Sequence, residues 1–81
     1  MLYYTYILKS SIDSSLYVGF TNNIDRRFEE HQSKKVTATK AKVPSKLLCY
    51  FATESSKTAS DLEKYFKSGS GRAFVKKHID K

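Results

Sequence analysis

The spacing of apolar residues divides this chain into strand-like and helix-like stretches. From Tyr3 to Leu8 aromatic and β-branched residues run together, a composition that fits a pleated, half-buried surface. Lys9-Ser10-Ser11-Ile12-Asp13-Ser14-Ser15 closes that strand, because its Ser and Asp side chains can satisfy turn backbone groups. Leu16 to Thr21 then returns antiparallel. Asn22 or Asn23 can cap a helix predicted from about Ile24 to Ser33. Its apolar stripe is Ile24 and Phe28 at i, i+4, with Arg27 and His31 as a second stripe bordering the buried face. Leu47 to Thr53 reads as a third strand, apolar enough to be central in a small sheet. Ser55 or Ser56 caps a helix through about Lys67, in which Ala59, Leu62 and Phe66 repeat at core spacing. Ser68-Gly69-Ser70-Gly71 then breaks the chain, and Ser70 caps a last helix from Arg72 to Ile79 with Phe74, Val75 and Ile79 turned inward.

The predicted order is β-β-α-β-α-α, an α/β (α+β) fold in which a three-stranded antiparallel sheet carries flanking helices. At 81 residues this is one domain, spanning 1–81, with no internal repeat and no linker long enough to separate two units. A chain this short buries only about 60% of the surface its unfolded form exposes. Six tyrosines and five phenylalanines nonetheless supply the apolar area that a disordered chain would lack.

Charge then narrows the partners. A formal net charge of +7 favours an anionic partner, and nucleic acid is the commonest one for a basic domain. Lys34 to Lys46, KKVTATKAKVPSK, holds five lysines and no acid, with Pro44 interrupting any regular element. Such a run is a solvated loop or a set of phosphate contacts. Cys49 is the only cysteine, so no disulfide forms within the chain; its setting in Leu47-Leu48-Cys49-Tyr50-Phe51 reads as a buried strand thiol. No run approaches the roughly 20 apolar residues of a membrane span, and the chain opens straight into its first strand, so the expected compartment is cytoplasmic with no membrane partner.

Candidate chemistry gathers near the N-terminus. Side chains alternate along a strand, so Tyr4, Tyr6 and Leu8 share one face and Tyr17, Gly19 and Thr21 share another. If the hairpin register joins these faces, Tyr6 and Tyr17 are neighbours, and Gly19 leaves room for a ligand or another backbone. Tyr17-Val18-Gly19 begins eleven residues after Tyr6, Arg27 follows Tyr17 by ten, and His31 lies one helical turn beyond Arg27. This order and spacing resembles the GIY-YIG nuclease family, in its small stand-alone form. The first signature triplet departs from the family pattern, with Tyr4-Thr5 in place of Gly-Ile, whereas Tyr-Val-Gly is nearly complete.

The resemblance implies metal-dependent endonucleolytic cleavage of DNA. Hydrolysis of a phosphodiester needs an activated water, stabilisation of charge at phosphorus and relief of charge on the leaving oxygen. Tyr6 is assigned as general base and Tyr17 as orienting or sharing that role. A tyrosine has an ordinary pKa near 10, so the base needs a nearby cation or a second base, and His31 can receive its proton. Arg27 offers a planar set of donors matched to phosphate. Glu63, in an A-x-x-x-E context on the helix after the third strand, matches the family's metal-binding glutamate and would hold one Mg²⁺ or Mn²⁺ ion; on its own it pairs with Lys67 at i, i+4. Lys34, Lys35, Lys40 and Lys42, with Arg72, Lys76 and Lys77, are the candidate DNA contacts. The chain is expected to be a monomer or weak homodimer, with a further protein partner left open. The alternative is a catalytically weak or inactive nucleic-acid-binding module of the same fold.

Overall fold

The computed structural model describes residues 1–80. It contains β1 (Tyr3–Ser10), β2 (Leu16–Thr21), α1 (Ile24–Gln32), β3 (Ser45–Thr53), α2 (Ser56–Lys67) and α3 (Gly69–His78). This is the expected β-β-α-β-α-α order, and the strands form one antiparallel sheet in the order β2-β1-β3. The first turn closes as its residues suggest: Ser10 N–H donates to the Ser15 carbonyl at 2.9 Å, and the Asp13 carboxylate accepts from Ser15 N–H at 3.0 Å.

One expectation is overturned. β1, not β3, is the central strand, flanked by both neighbours. Thr5 to Leu8 are all buried, as a strand covered on both faces requires. The apolar run of β3 misleads because it lies at an edge: Leu47, Leu48, Cys49 and Phe51 are half-buried and Tyr50 is 50% exposed. A register shift between Ile7 and Leu8 lets Leu47 pair with Leu8, leaving Leu48 as the extra residue.

Helices α2 and α3 cover the face of the sheet that carries Ile7 and Val18. Those two residues form a cluster with Phe66 and Val75, against which Leu16, Leu62 and Ile79 pack. Ala59 is fully buried, and its carbonyl accepts the Thr5 hydroxyl at 2.6 Å, so α2 is held to the central strand by a polar contact inside the apolar layer. Phe51 and Phe66 stack at 5.2 Å. At the far end Lys9 pairs with Asp80 at 2.7 Å.

The last helix starts earlier than expected. Ser68, not Ser70, is its cap, accepting from Gly71 N–H at 3.2 Å, and Gly69 to Gly71 are helical. The two glycines do not break the chain there; Ser68 alone does. Phe74 was expected inside but is 40% exposed, its ring against Phe66 and His78, because the inward positions of α3 are Gly71 and Val75. Gly71 is where the two helices touch: a Cβ there would stand 2.6 Å from the Phe66 Cα. Backbone cannot yield as a side-chain tip can. Gly71→Ala is therefore expected to cost about 1–3 kcal/mol by overpacking. Urea unfolding measures this, and an unchanged midpoint would show that the α2–α3 contact is looser than described.

Candidate active site

The other face of the hairpin carries the candidate chemistry, and its register decides which side chains meet. Tyr6 lies opposite Gly19, and Leu8 opposite Tyr17. Tyr17 is thus the diagonal neighbour of Tyr6, with ring centroids 6.3 Å apart. A Cβ at Gly19 would stand 2.5 Å from the Tyr6 ring carbon Cζ. The space Gly19 leaves is therefore filled by the phenol of Tyr6 and not by a ligand or a second backbone.

Helix α1 delivers Arg27 and His31 to this face. Asn23 caps it, accepting from Arg26 N–H at 3.1 Å, and Asp25 in the first turn suits the positive end of the helix dipole. The stripe assignment needs correction. Ile24 and Phe28 are only half-buried, whereas His31 is fully buried and is the buried residue of the helix. It is admitted because both ring nitrogens are satisfied: Nε2 meets the Tyr6 hydroxyl at 2.8 Å, and Nδ1 meets the Thr39 hydroxyl at 2.6 Å. Among the described residues no buried side-chain nitrogen or oxygen lacks a partner.

These contacts set the proton affinities. Tyr6 is 1% exposed, and burial pushes its phenol up to about 12 against the opposing pull of the Arg27 guanidinium beside it; Tyr17 and Glu63 add to the rise. His31 is held below its ordinary value, first by burial and then by the positive charge of Arg27, with Glu30 acting the other way. Arg27 holds its proton more firmly than usual, through the Tyr6 hydroxyl and the Glu30 carboxylate, which lies 3.0 Å from Nη1. Near neutral pH the cluster is thus a protonated phenol, a neutral imidazole and a fixed cation. A phenol that cannot ionise by itself stands next to a base able to take its proton.

The remaining predicted residues divide between the site and the surface. Glu63, on α2, pairs with Lys67 at 3.0 Å, the contact its i, i+4 spacing suggests, and its charge is felt at Tyr6. Among the described residues no three His, Cys, Asp or Glu side chains converge as a metal cluster. Lys34, Lys35 and Lys40 are exposed, while Lys42 is engaged by Asp13, whose carboxyl it holds below the usual range. Arg72, Lys76 and Lys77 are exposed on α3, and Arg72 and Lys76 rim a groove of about 560 Å³ floored by Ile7, Val18 and Phe66. Cys49 is half-buried with its thiol pushed up by desolvation, in keeping with an inert strand cysteine.

Three residues were not singled out from the sequence. Glu30 orients Arg27. Gln32 ties the end of α1 to the start of β3, donating to the Ser45 carbonyl at 2.7 Å and accepting from Ser45 N–H at 3.0 Å. Thr39, inside the lysine run, is 3% exposed on His31. Contacts between α1 and the loop carry no periodic signal, and the lysine run holds two threonines, Thr37 and Thr39, with nothing local to tell them apart.

Known proteins resemble this chain in sequence and fold. A family model described as the GIY-YIG catalytic domain matches residues 2–77. The chain is 41% identical to a UPF0213 protein of Limosilactobacillus reuteri, over 96% of this chain and 83% of that one. It is 35% identical to a UPF0213 protein of Streptococcus agalactiae, over 93% and 89% respectively. The solution NMR structure of a UPF0213 protein from Bacillus halodurans aligns with a TM-score of 0.58 at 32% identity, covering 93% of this chain and 82% of that one. With Tyr6, Tyr17, Gly19, Arg27 and His31 packed as one unit and the match extending over nearly the whole chain, this protein belongs to the GIY-YIG catalytic domain family, beside its small UPF0213 relatives.

Proposed function

We propose that the protein is a metal-dependent endonuclease that hydrolyses DNA phosphodiester bonds. The observation that carries this is the buried contact of Tyr6 with His31, made beside Arg27. A buried phenol needs one hydrogen-bond partner, but packing alone does not call for a guanidinium beside a neutral imidazole.

Tyr6 acts as general base for the attacking water, passing its own proton to His31 as it takes one from the water. The high phenol pKa and depressed imidazole pKa fit a relay of this polarity, since both groups start in the required form. Tyr17, half-buried beside Tyr6, is the tyrosine that solvent reaches, and it orients the water. Arg27 binds a phosphate oxygen and stabilises charge on it. Lys34, Lys35 and Lys40, with Arg72, Lys76 and Lys77, supply backbone contacts; Lys42 joins them only by leaving Asp13.

A divalent ion fits the donors present. One carboxylate with water and phosphate oxygens suits Mg²⁺ or Mn²⁺, and Glu63 would hold it. Such an ion supplies polarisation of the phosphate and stabilisation of the leaving oxygen. A second reading, a nucleic-acid-binding module without turnover, draws on the Glu63–Lys67 pair, which occupies that carboxylate in the free protein.

Glu63→Ala separates the two. Metal-dependent cleavage of labelled DNA is expected to disappear, while DNA binding by fluorescence anisotropy stays equal or tightens because a repelling charge has gone. Melting should change little, since an exposed i, i+4 pair contributes only about 0.3–0.5 kcal/mol. Full metal-dependent activity in this variant would refute the assignment of Glu63. A wild-type protein that binds DNA but cleaves no member of a panel of duplex, branched, nicked and single-stranded substrates, with Mg²⁺ or Mn²⁺, would establish the binding module.

His31 adds a pH test. Its folded pKa lies below the ordinary value of about 6.5. Under mild acid the unfolded chain therefore takes up a proton that the folded protein resists. The stabilising effect of neutral His31 is complete above about pH 6.5 and is lost as pH falls through the depressed folded value. Single-turnover cleavage by the folded protein should hold near pH 6.5 and decline only as pH falls through that depressed value, because a protonated His31 cannot receive the proton of Tyr6. Thermal melts from pH 8 to 5 should show a shallower acid decline in His31→Gln than in wild type; identical slopes would place the effect elsewhere.

A further inference from the structure

We propose that Thr39 is a positioning residue of this site, its buried hydroxyl fixing the tautomer of His31 so that the Nε2 lone pair faces the Tyr6 hydroxyl. The catalytic meaning of this rests on the nuclease reading; the tautomer follows from the hydrogen-bond chain alone.

A neutral imidazole carries one N–H, so its two partners cannot both be donors or both be acceptors toward it. Two patterns remain. In one, Tyr6 O–H donates to Nε2, and Nδ1–H donates to Thr39. In the other, Thr39 O–H donates to Nδ1, and Nε2–H donates to Tyr6. The ends of the chain decide between them. The Tyr6 hydroxyl is buried, and among the described residues its hydrogen-bond partner is His31 Nε2. If Nε2–H donated to Tyr6, the buried proton of that hydroxyl would find no acceptor. At the other end the Thr39 hydroxyl lies 3.5 Å from the Val36 carbonyl, which only accepts. The pattern that satisfies both ends runs one way: Tyr6 donates to His31, His31 to Thr39 and Thr39 to Val36.

This polarity is the one proton transfer needs. When the oxygen of Tyr6 takes a proton from water, its original O–H breaks and a new N–H forms at Nε2, leaving hydroxide and a singly charged imidazolium. Nδ1 already carries its proton and already has an acceptor in Thr39, so nothing rotates. The loop that holds Thr39 is built to keep it there. Thr39 N–H donates to the Val36 carbonyl at 3.1 Å, Lys42 N–H donates to the Thr39 carbonyl at 2.9 Å, and the Ser10 hydroxyl donates to the Lys42 carbonyl at 2.7 Å. The lysine loop thus serves the site from within, whatever its outer face binds.

Nitrogen-15 NMR of the imidazoles in the full chain tests this, with His78 the one other histidine to distinguish. His31 is expected to be protonated at Nδ1 and not at Nε2. Thr39→Val removes the acceptor and should shift the ring toward Nε2–H. Single-turnover DNA cleavage should then fall about 10- to 100-fold, as when the orienting partner of a functional histidine is lost, with DNA affinity unchanged. Thr39→Ser should restore both tautomer and rate. A wild-type His31 protonated at Nε2 would overturn the inference, as would Thr39→Val with the wild-type tautomer, or with an altered tautomer and an undiminished rate. Should Thr39→Val fail to fold, the wild-type and Thr39→Ser spectra still decide the matter. A wild type without nuclease activity would defeat the nuclease reading while leaving the spectra to settle the role of Thr39 in fixing the ring.

Discussion

A hydrogen bond between two buried side chains, Tyr6 on the central strand and His31 on α1, fixes the geometry of everything around it. Helix α1 has little apolar surface with which to hold itself: Ile24 and Phe28 are only half-buried. Its position depends on polar contacts, His31 against Tyr6 and Thr39, and Gln32 against Ser45. Removing one partner from a buried pair costs about 1–3 kcal/mol because the other is left unsatisfied. The same bond that anchors the helix therefore aims Arg27, one turn earlier, at the phenol. Gly19 belongs to this constraint as well, since a side chain there would push the Tyr6 ring off His31.

Charge is distributed unevenly around that anchor. Inside, one fixed cation, Arg27, is steadied by Glu30; it opposes a second positive charge on the imidazole and favours ionisation of the phenol, a pull that burial of Tyr6 outweighs. Outside, the net charge of +7 is partly spent locally: Lys42 on Asp13, Lys67 on Glu63 and Lys57 on Asp61. Lys34, Lys35 and Lys40 on the loop and Arg72, Lys76 and Lys77 on α3 remain exposed.

Much of this was legible in the sequence because local rules and the fold agree. Alternation in β1 and β2, the Asn23 and Ser55 caps, and the Ala59, Leu62 and Phe66 stripe each report a short-range preference that packing then uses. Errors arose where a long-range fact outweighed a local one. The apolar run of β3 looked central, but strand order depends on which strands pair, and hydropathy does not encode that. Gly69 and Gly71 looked like a break, yet Gly71 is small because α2 lies against it. Likewise, the spacing of Arg27 and His31 marked both as site candidates but could not show that His31 is the buried one, because a polar ring enters a core only when partners elsewhere in the chain meet it. Thr39 was invisible for the same reason.

The most direct test is single-turnover DNA cleavage by Tyr6→Phe beside its thermal melt. This change deletes one hydroxyl and keeps the ring over Gly19. If Tyr6 is the base linked to His31, the rate should fall about 10²- to 10⁴-fold. The protein should stay folded, its melt lowered only as far as one unpaired buried nitrogen explains. Near-normal cleavage by Tyr6→Phe, from a protein whose wild type cleaves, would mean that the buried tyrosine is packing and that the chemistry lies elsewhere.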